Sequence, residues 1–197
     1  MVKKIVGTGV LLVLALALQA GVKMYTLKSP DGKVKLEVTA GQGIAYSLFY
    51  DGRLLLKPSR IALHTDLPEA DHWENIRITG TKQRHVSETV QAPFYRVKEF
   101  GIDCNELELR LNNGFSLLMR AYNDGMAYRF VAGRKGEMTV VEERAEFNFA
   151  DDFEAYIPYS TNPKDPWNMA FQNFYTKAPL TQYNTELPAF LPLTVDA

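Results

Sequence analysis

The chain doubles back at Asp51-Gly52, between the apolar runs Ile44 to Tyr50 and Arg53 to Leu56. An Asp-Gly pair so placed is the strongest short hairpin signal, because both central residues of the tight turn need positive φ. The pattern repeats. Val34, Leu36 and Val38 alternate with Lys35 and Glu37 after Pro30-Asp31-Gly32, and Leu107, Leu109 and Leu111 alternate with Glu108 and Arg110 before Asn112-Asn113-Gly114. Phe115 to Tyr122 meets Asn123-Asp124-Gly125 and returns as Met126 to Val131. Period-two alternation buries one face of each strand. Further strands are expected at Tyr25 to Ser29, Ser59 to Leu63 and Val140 to Phe149, with weaker ones at Ile76 to Ile78 and Val86 to Val90. The polar stretch from His64 to Asn75 is expected to be a loop. No amphipathic helix is visible after residue 20. Turn signals at this spacing predict an all-β fold, an antiparallel β-sandwich, over residues 24–150.

Residues 1–20 read differently. Lys3 and Lys4 precede an uncharged apolar run from Ile5 to Ala20, too short for a membrane span of about 20 residues. With Ala20 and Gly21 at its end it has the form of an export signal, the alternative being an uncleaved anchor helix. The mature chain is therefore expected to be periplasmic or secreted, with no stable membrane span.

With 22 basic and 23 acidic residues, the charge gives no reason to expect a nucleic-acid partner. One cysteine, Cys104, excludes an intrachain disulfide and a cysteine-based zinc cluster, and is expected to be buried. There is no phosphate loop, Gly-x-Ser-x-Gly or His-Glu-x-x-His. Asp151-Asp152-Phe153-Glu154 is an acidic cluster, expected to be a solvated turn. Glu142 and Glu143 are expected to straddle a strand with one side chain exposed. Glu106 and Glu108 share one face of a strand and are expected to be solvated.

Residues 151–197 change character. Between Phe153 and Tyr183 eight aromatics are interleaved with Pro158, Pro163, Pro166 and Pro179, which rules out one regular element. Asn162, Asp165, Asn168, Gln172 and Asn173 lie among Tyr159, Trp167, Phe171 and Phe174. Flat rings for sugar C–H faces and amides for sugar hydroxyls suit a carbohydrate surface, with Trp167, Asn168 and Asn173 the candidate contacts. The other reading is that these rings seal an interface with a further part of the protein. The pattern Leu191-Pro-Leu-Thr-Val-Asp-Ala197 opens like a strand, so the sandwich is expected to be incomplete at the C-terminus.

Taken in order, Ser29 to Val38, Tyr46 to Arg53 with Pro58-Ser59, Arg120 to Phe130, Glu142 to Phe149, Phe171-Gln-Asn-Phe-Tyr175 and Leu191 to Thr194 resemble the N-terminal domain of glycoside hydrolase family 97. The resemblance covers nearly all of the mature chain. It implies a β-sandwich resembling galactose mutarotase, in an exported α-glucosidase or α-galactosidase whose catalytic carboxylates lie on a downstream (β/α)8 barrel. That barrel is the implied partner, an oligosaccharide or α-glycoside the implied substrate, and no catalytic residue is assigned to this chain. The resemblance also implies a calcium ion with one glutamate from this domain, in the Phe171 to Tyr175 motif. Gln172 holds that place here, and Glu186 is the other candidate, or equally an exposed loop glutamate. A free-standing carbohydrate-binding module and a mutarotase-like epimerase using His64, His72 or His85 are the competing functions.

Overall fold

The computed structural model describes residues 23–160, 162, 164–165 and 173–197. Described residues 23–145 form nine strands: β1 (Met24–Lys28), β2 (Val34–Gly41), β3 (Gly43–Tyr50), β4 (Arg53–Thr65), β5 (Ile78–Gln91), β6 (Glu99–Leu111), β7 (Phe115–Tyr122), β8 (Gly125–Ala132) and β9 (Val140–Ala145). They form two antiparallel sheets, in the orders β1-β2-β3-β4-β9 and β5-β6-β7-β8. This is the β-sandwich that the alternation predicts. Leu36, Val38, Ile44, Tyr46 and Ile61 of the first sheet share one buried core with Leu107, Leu109, Leu117, Met119 and Ala121 of the second. At about 25 cal/mol per Å² of apolar surface buried, that shared face is the main stabilising term.

The turns work as their residues require. Asp51 and Gly52 have φ of 47° and 82°, so the β3–β4 hairpin closes on two left-handed residues. The β7–β8 hairpin differs slightly: Tyr122 pairs with Gly125, so Asn123 and Asp124 make the turn and Gly125 opens the strand. Asn123 then holds the opposite sheet, accepting a hydrogen bond from the Asp31 N–H at 3.0 Å. The edge of β1 is tied across the sandwich in the same way. The Gln83 and Asn105 side-chain amides donate to its Thr26 and Lys28 carbonyls, each at 2.9 Å. Cys104 is free and buried.

Four local expectations change. The runs Arg53 to Leu56 and Ser59 to Leu63 are one strand, β4, because bulges opposite Tyr46 and Leu48 let the chain continue through Pro58. The weak runs around Ile78 and Val86 are one long strand, β5, held along its length by β6. Glu106 is not solvated. Its side chain is 5% exposed, and its two oxygens each accept from a guanidinium, Arg84 Nε and Arg120 Nε, both at 2.7 Å. Glu142 and Glu143, expected to divide between faces, are both exposed, and Glu143 accepts from the Tyr128 hydroxyl at 3.0 Å.

The remaining strands, β10 (Glu154–Ile157), β11 (Thr176–Pro179) and β12 (Thr194–Asp196), make a third sheet in the order β11-β10-β12. Only a single 3-10 turn, Leu180–Gln182, interrupts the β structure among the described residues. The third sheet joins the first through the Leu56–Phe149 bridge and the Ala150 N–H, which donates to the Leu55 carbonyl at 2.9 Å.

Candidate functional site

The aromatic segment owes its order to short-range chemistry. Ala155 and Ile157 are fully buried on one side of β10, which leaves Tyr156 on the other. After β10 the chain is pinned by backbone hydrogen bonds: Ser160 N–H to Pro188 O at 2.7 Å and Phe190 N–H to Pro158 O at 2.9 Å. Prolines at 158, 188 and 192 keep these flanks extended, because their fixed φ and missing N–H rule out a helix.

Between these flanks lies a cleft of about 100 Å³, lined by Pro158, Tyr159, Asn173, Tyr175, Phe190 and the cis-linked pair Leu191-Pro192. Two features fix its wall. The Asn173 side-chain amide donates to the Tyr159 carbonyl at 2.9 Å, and the Tyr159 hydroxyl accepts from the Asn184 N–H at 2.7 Å. The Tyr159 ring also packs on Tyr183, centroids 5.4 Å apart. Tyr183 in turn lines a second, wider hollow with Lys57, Asn148, Asp151, Asp152 and Thr181. The result is a wall of rings with amides beside them, open to solvent.

Asp152 has a structural part here. Its carboxylate accepts from the Thr181 N–H at 2.9 Å and the Thr181 hydroxyl at 2.7 Å, which fastens the 3-10 turn to the start of β10. Those two bonds, the backbone one first, hold its carboxyl below the ordinary range. Asp151 accepts from the Asp152 N–H at 2.9 Å, so the acidic cluster is a turn device.

Of the residues named from sequence, Asn173 lies in the cleft wall. Glu186 sits exposed in the turn after Tyr183, its N–H donating to Asn184 Oδ1 at 3.0 Å. Trp167, Asn168 and Gln172 lie outside the described residues. The histidines occupy separate places. His64 on β4 bonds Asp71 at 2.7 Å, His85 on β5 lies 3.0 Å from Asp103, and the His72 carbonyl accepts from the Asn113 amide. Sequence reading missed Tyr183 as the partner of Tyr159. No spacing rule joins residues 24 apart in an irregular segment, and the Leu180–Gln182 turn brings them together.

Among the described residues, no three His, Cys, Asp or Glu side chains cluster as a metal site.

The comparisons with known proteins agree on a family. Residues 27–197 match the glycosyl-hydrolase 97 N-terminal family. The chain is 39% identical over 188 residues to a retaining α-galactosidase of Bacteroides thetaiotaomicron, covering 92% of this chain and 28% of that protein. It is 26% identical over 158 residues to a probable retaining α-galactosidase of Streptomyces bingchenggensis, covering 78% of this chain and 24% of that one. The chain thus spans about a quarter of the length of these relatives. Its fold is similar to a family 97 enzyme of a Pseudoalteromonas species in complex with panose (TM-score 0.64, 19% identity, 80% of this chain and 25% of that one). It is also similar to a β-arabinopyranosidase (TM-score 0.64, 22% identity, 77% of this chain and 26% of that one). With two antiparallel sheets on one shared core and a family match over residues 27–197, the chain belongs to the glycosyl-hydrolase 97 N-terminal family.

Proposed function

We propose that this chain is the non-catalytic N-terminal sandwich of an exported α-glycosidase, an α-galactosidase or α-glucosidase, that packs on a separate catalytic barrel and lends one wall to its sugar pocket. The observation that carries this is the cleft at Tyr159, Asn173 and Tyr175, where rings and amides face solvent at the end of the sandwich. Phe174 and Leu191 beside it are almost fully exposed. Apolar side chains so placed are the mark of a surface that another domain covers. The chain's similarity over 92% of its length to a protein more than three times as long supports the same reading.

Glycoside hydrolysis needs two carboxylates on opposite sides of the scissile bond. Within this segment Asp152 is held by Thr181 and Glu154 pairs with Lys177. On this reading the acid and base come from the barrel. Calcium in such an enzyme would be shared, with Gln172 or Glu186 offering one oxygen and the barrel the rest. An amide oxygen at Gln172 would bring no charge to the ion.

The test is direct. The purified chain is expected to give no turnover of nitrophenyl α-galactoside or α-glucoside, and hydrolysis above background would overturn the proposal. Calorimetry with melibiose and maltose separates a pocket wall from a complete binding module. No saturable heat is expected below about 1 mM, an affinity worth roughly 4 kcal/mol. Saturable binding lost on Trp167→Ala would assign the chain as a free-standing carbohydrate-binding module instead.

A further inference from the structure

The wider hollow lies where the third sheet joins the first, lined by Lys57 of β4 and by Thr181 and Tyr183 beyond β11. Its volume is about 730 Å³. Small-molecule sites typically occupy roughly 300–1,000 Å³. The cleft at Tyr159 and Asn173, about 100 Å³, falls below that range, and the hollow falls within it. The lining is fixed in advance of any ligand. The Asn148 N–H donates to the Ser59 hydroxyl and its side-chain amide to the Pro58 carbonyl, each at 2.9 Å. The same amide donates to the Glu146 carboxylate at 3.3 Å, and the Asn148 carbonyl accepts from the Lys57 N–H at 2.7 Å. Asp152 fastens the 3-10 turn through Thr181.

Two kinds of group in this frame are left for a ligand. Phe147 is 56% exposed and Tyr183 36%, so two rings offer flat apolar surface. The Lys57 ammonium has no hydrogen-bond or ionic partner among the described residues, and Asp151 accepts the Asp152 N–H alone. An ammonium donates strongly to a hydroxyl oxygen, and a carboxylate accepts strongly from a hydroxyl proton. With one ammonium and two carboxylates in the lining, there is no excess of positive charge to select a phosphate or carboxylate. Rings beside such groups suit a neutral ligand with an apolar ring face and several hydroxyls. We infer that this hollow is a sugar-binding site of the sandwich itself, taking one or two pyranose units, with Phe147 as the stacking ring and Lys57 and Asp151 as hydroxyl partners. The choice of a sugar rests on the reading of the chain as part of a glycosidase, and the place comes from the lining.

Titration of the isotope-labelled chain with melibiose and with maltose, followed by nuclear magnetic resonance, tests it. Amide shifts are expected to saturate at Lys57, at Phe147 to Asp151 and at Tyr183, with a Kd of about 1–20 mM for at least one of the sugars. Phe147→Ala removes the stacking face and weakens this binding about tenfold. Lys57→Met keeps the apolar stem without the ammonium and weakens it about fivefold. Both side chains are exposed, so both variants are expected to keep the wild-type circular dichroism spectrum. Glycerol, which has hydroxyls and no ring face, is expected to give no saturating shift. No shift at the hollow with either sugar up to about 100 mM overturns the inference, as does glycerol reproducing the sugar shifts. Shifts that saturate at Tyr159, Asn173 and Tyr175 alone also overturn it while leaving the cleft reading intact. Hydrolysis of a nitrophenyl glycoside by the chain would instead overturn the non-catalytic reading and leave this site standing.

Discussion

Trp73→Ala is expected to cost about 3–5 kcal/mol of folding stability, the range for truncating a buried tryptophan to alanine. Trp73 sits in the connection between β4 and β5, yet it is 7% exposed. Its ring lies 5.2 Å from Phe130, edge to face, and 6.0 Å from Phe115. Its indole N–H donates to the Leu63 carbonyl at 3.0 Å. Ala70 and Ile76 of the same connection are also buried, and the Ile76 N–H donates to Gly41 O at 2.7 Å. The segment is a plug that closes one end of the sandwich. Alanine leaves a cavity against two rings and an unpaired carbonyl, and both add to the loss. Urea denaturation followed by circular dichroism reads the result as a lower midpoint at unchanged slope. Trp73→Phe keeps most of the volume and is expected to lose less than half as much. A loss below about 1 kcal/mol for the alanine variant would refute the plug, since that is the scale of an ordinary surface change.

Glu106→Ala is expected to cost roughly 2–3 kcal/mol. Removing one member of a fully buried ion pair costs about 3–5 kcal/mol. The figure is lower here because Arg84 is half exposed and can turn towards water. Arg120 is more enclosed and loses its carboxylate partner. The pH dependence has a definite sign. Burial alone would raise the Glu106 pKa, but the hydrogen bonds from Arg84 and Arg120 outweigh it and hold the carboxyl below its ordinary value. A carboxyl depressed in the folded state contributes stability above its unfolded pKa of about 4.3. That contribution is lost as pH falls through the lower folded value. The stability gap between the wild-type chain and Glu106→Ala is therefore expected to be full at pH 7 and to shrink below about pH 4. A gap that is constant with pH would show that the charge plays no part.

The two residues also mark the limit of sequence reading. Leu107 and Leu109 announce their burial, because alternation along a strand is a local pattern set by the pleat. Glu106 reads as solvated because nothing local shows that Arg84, 22 positions earlier, and Arg120, 14 later, arrive on either side of it. Trp73 lies in a polar run with no period, so its burial is legible only once Phe115 and Phe130 are seen beneath it. The candidate site divides in the same way. The mixture of rings and amides is legible in residues 151–197, and Asn173 takes a place in the cleft wall. The pairing of Tyr159 with Tyr183, and the use of Asp152 to hold Thr181, are contacts of the fold.

By itself the amino-acid sequence determined the all-β class, the hairpin at Asp51-Gly52, the inward faces of β2, β6 and β7, and the family. Each of these rests on residues near one another along the chain, where steric rules for φ and the two-residue pleat act directly. Only the tertiary structure decided that Pro58 lies within one strand, that Glu106 is a buried ion, and that Trp73 is core. Those outcomes depend on which distant segments meet, and that is fixed by packing two sheets face to face, not by any pattern within either.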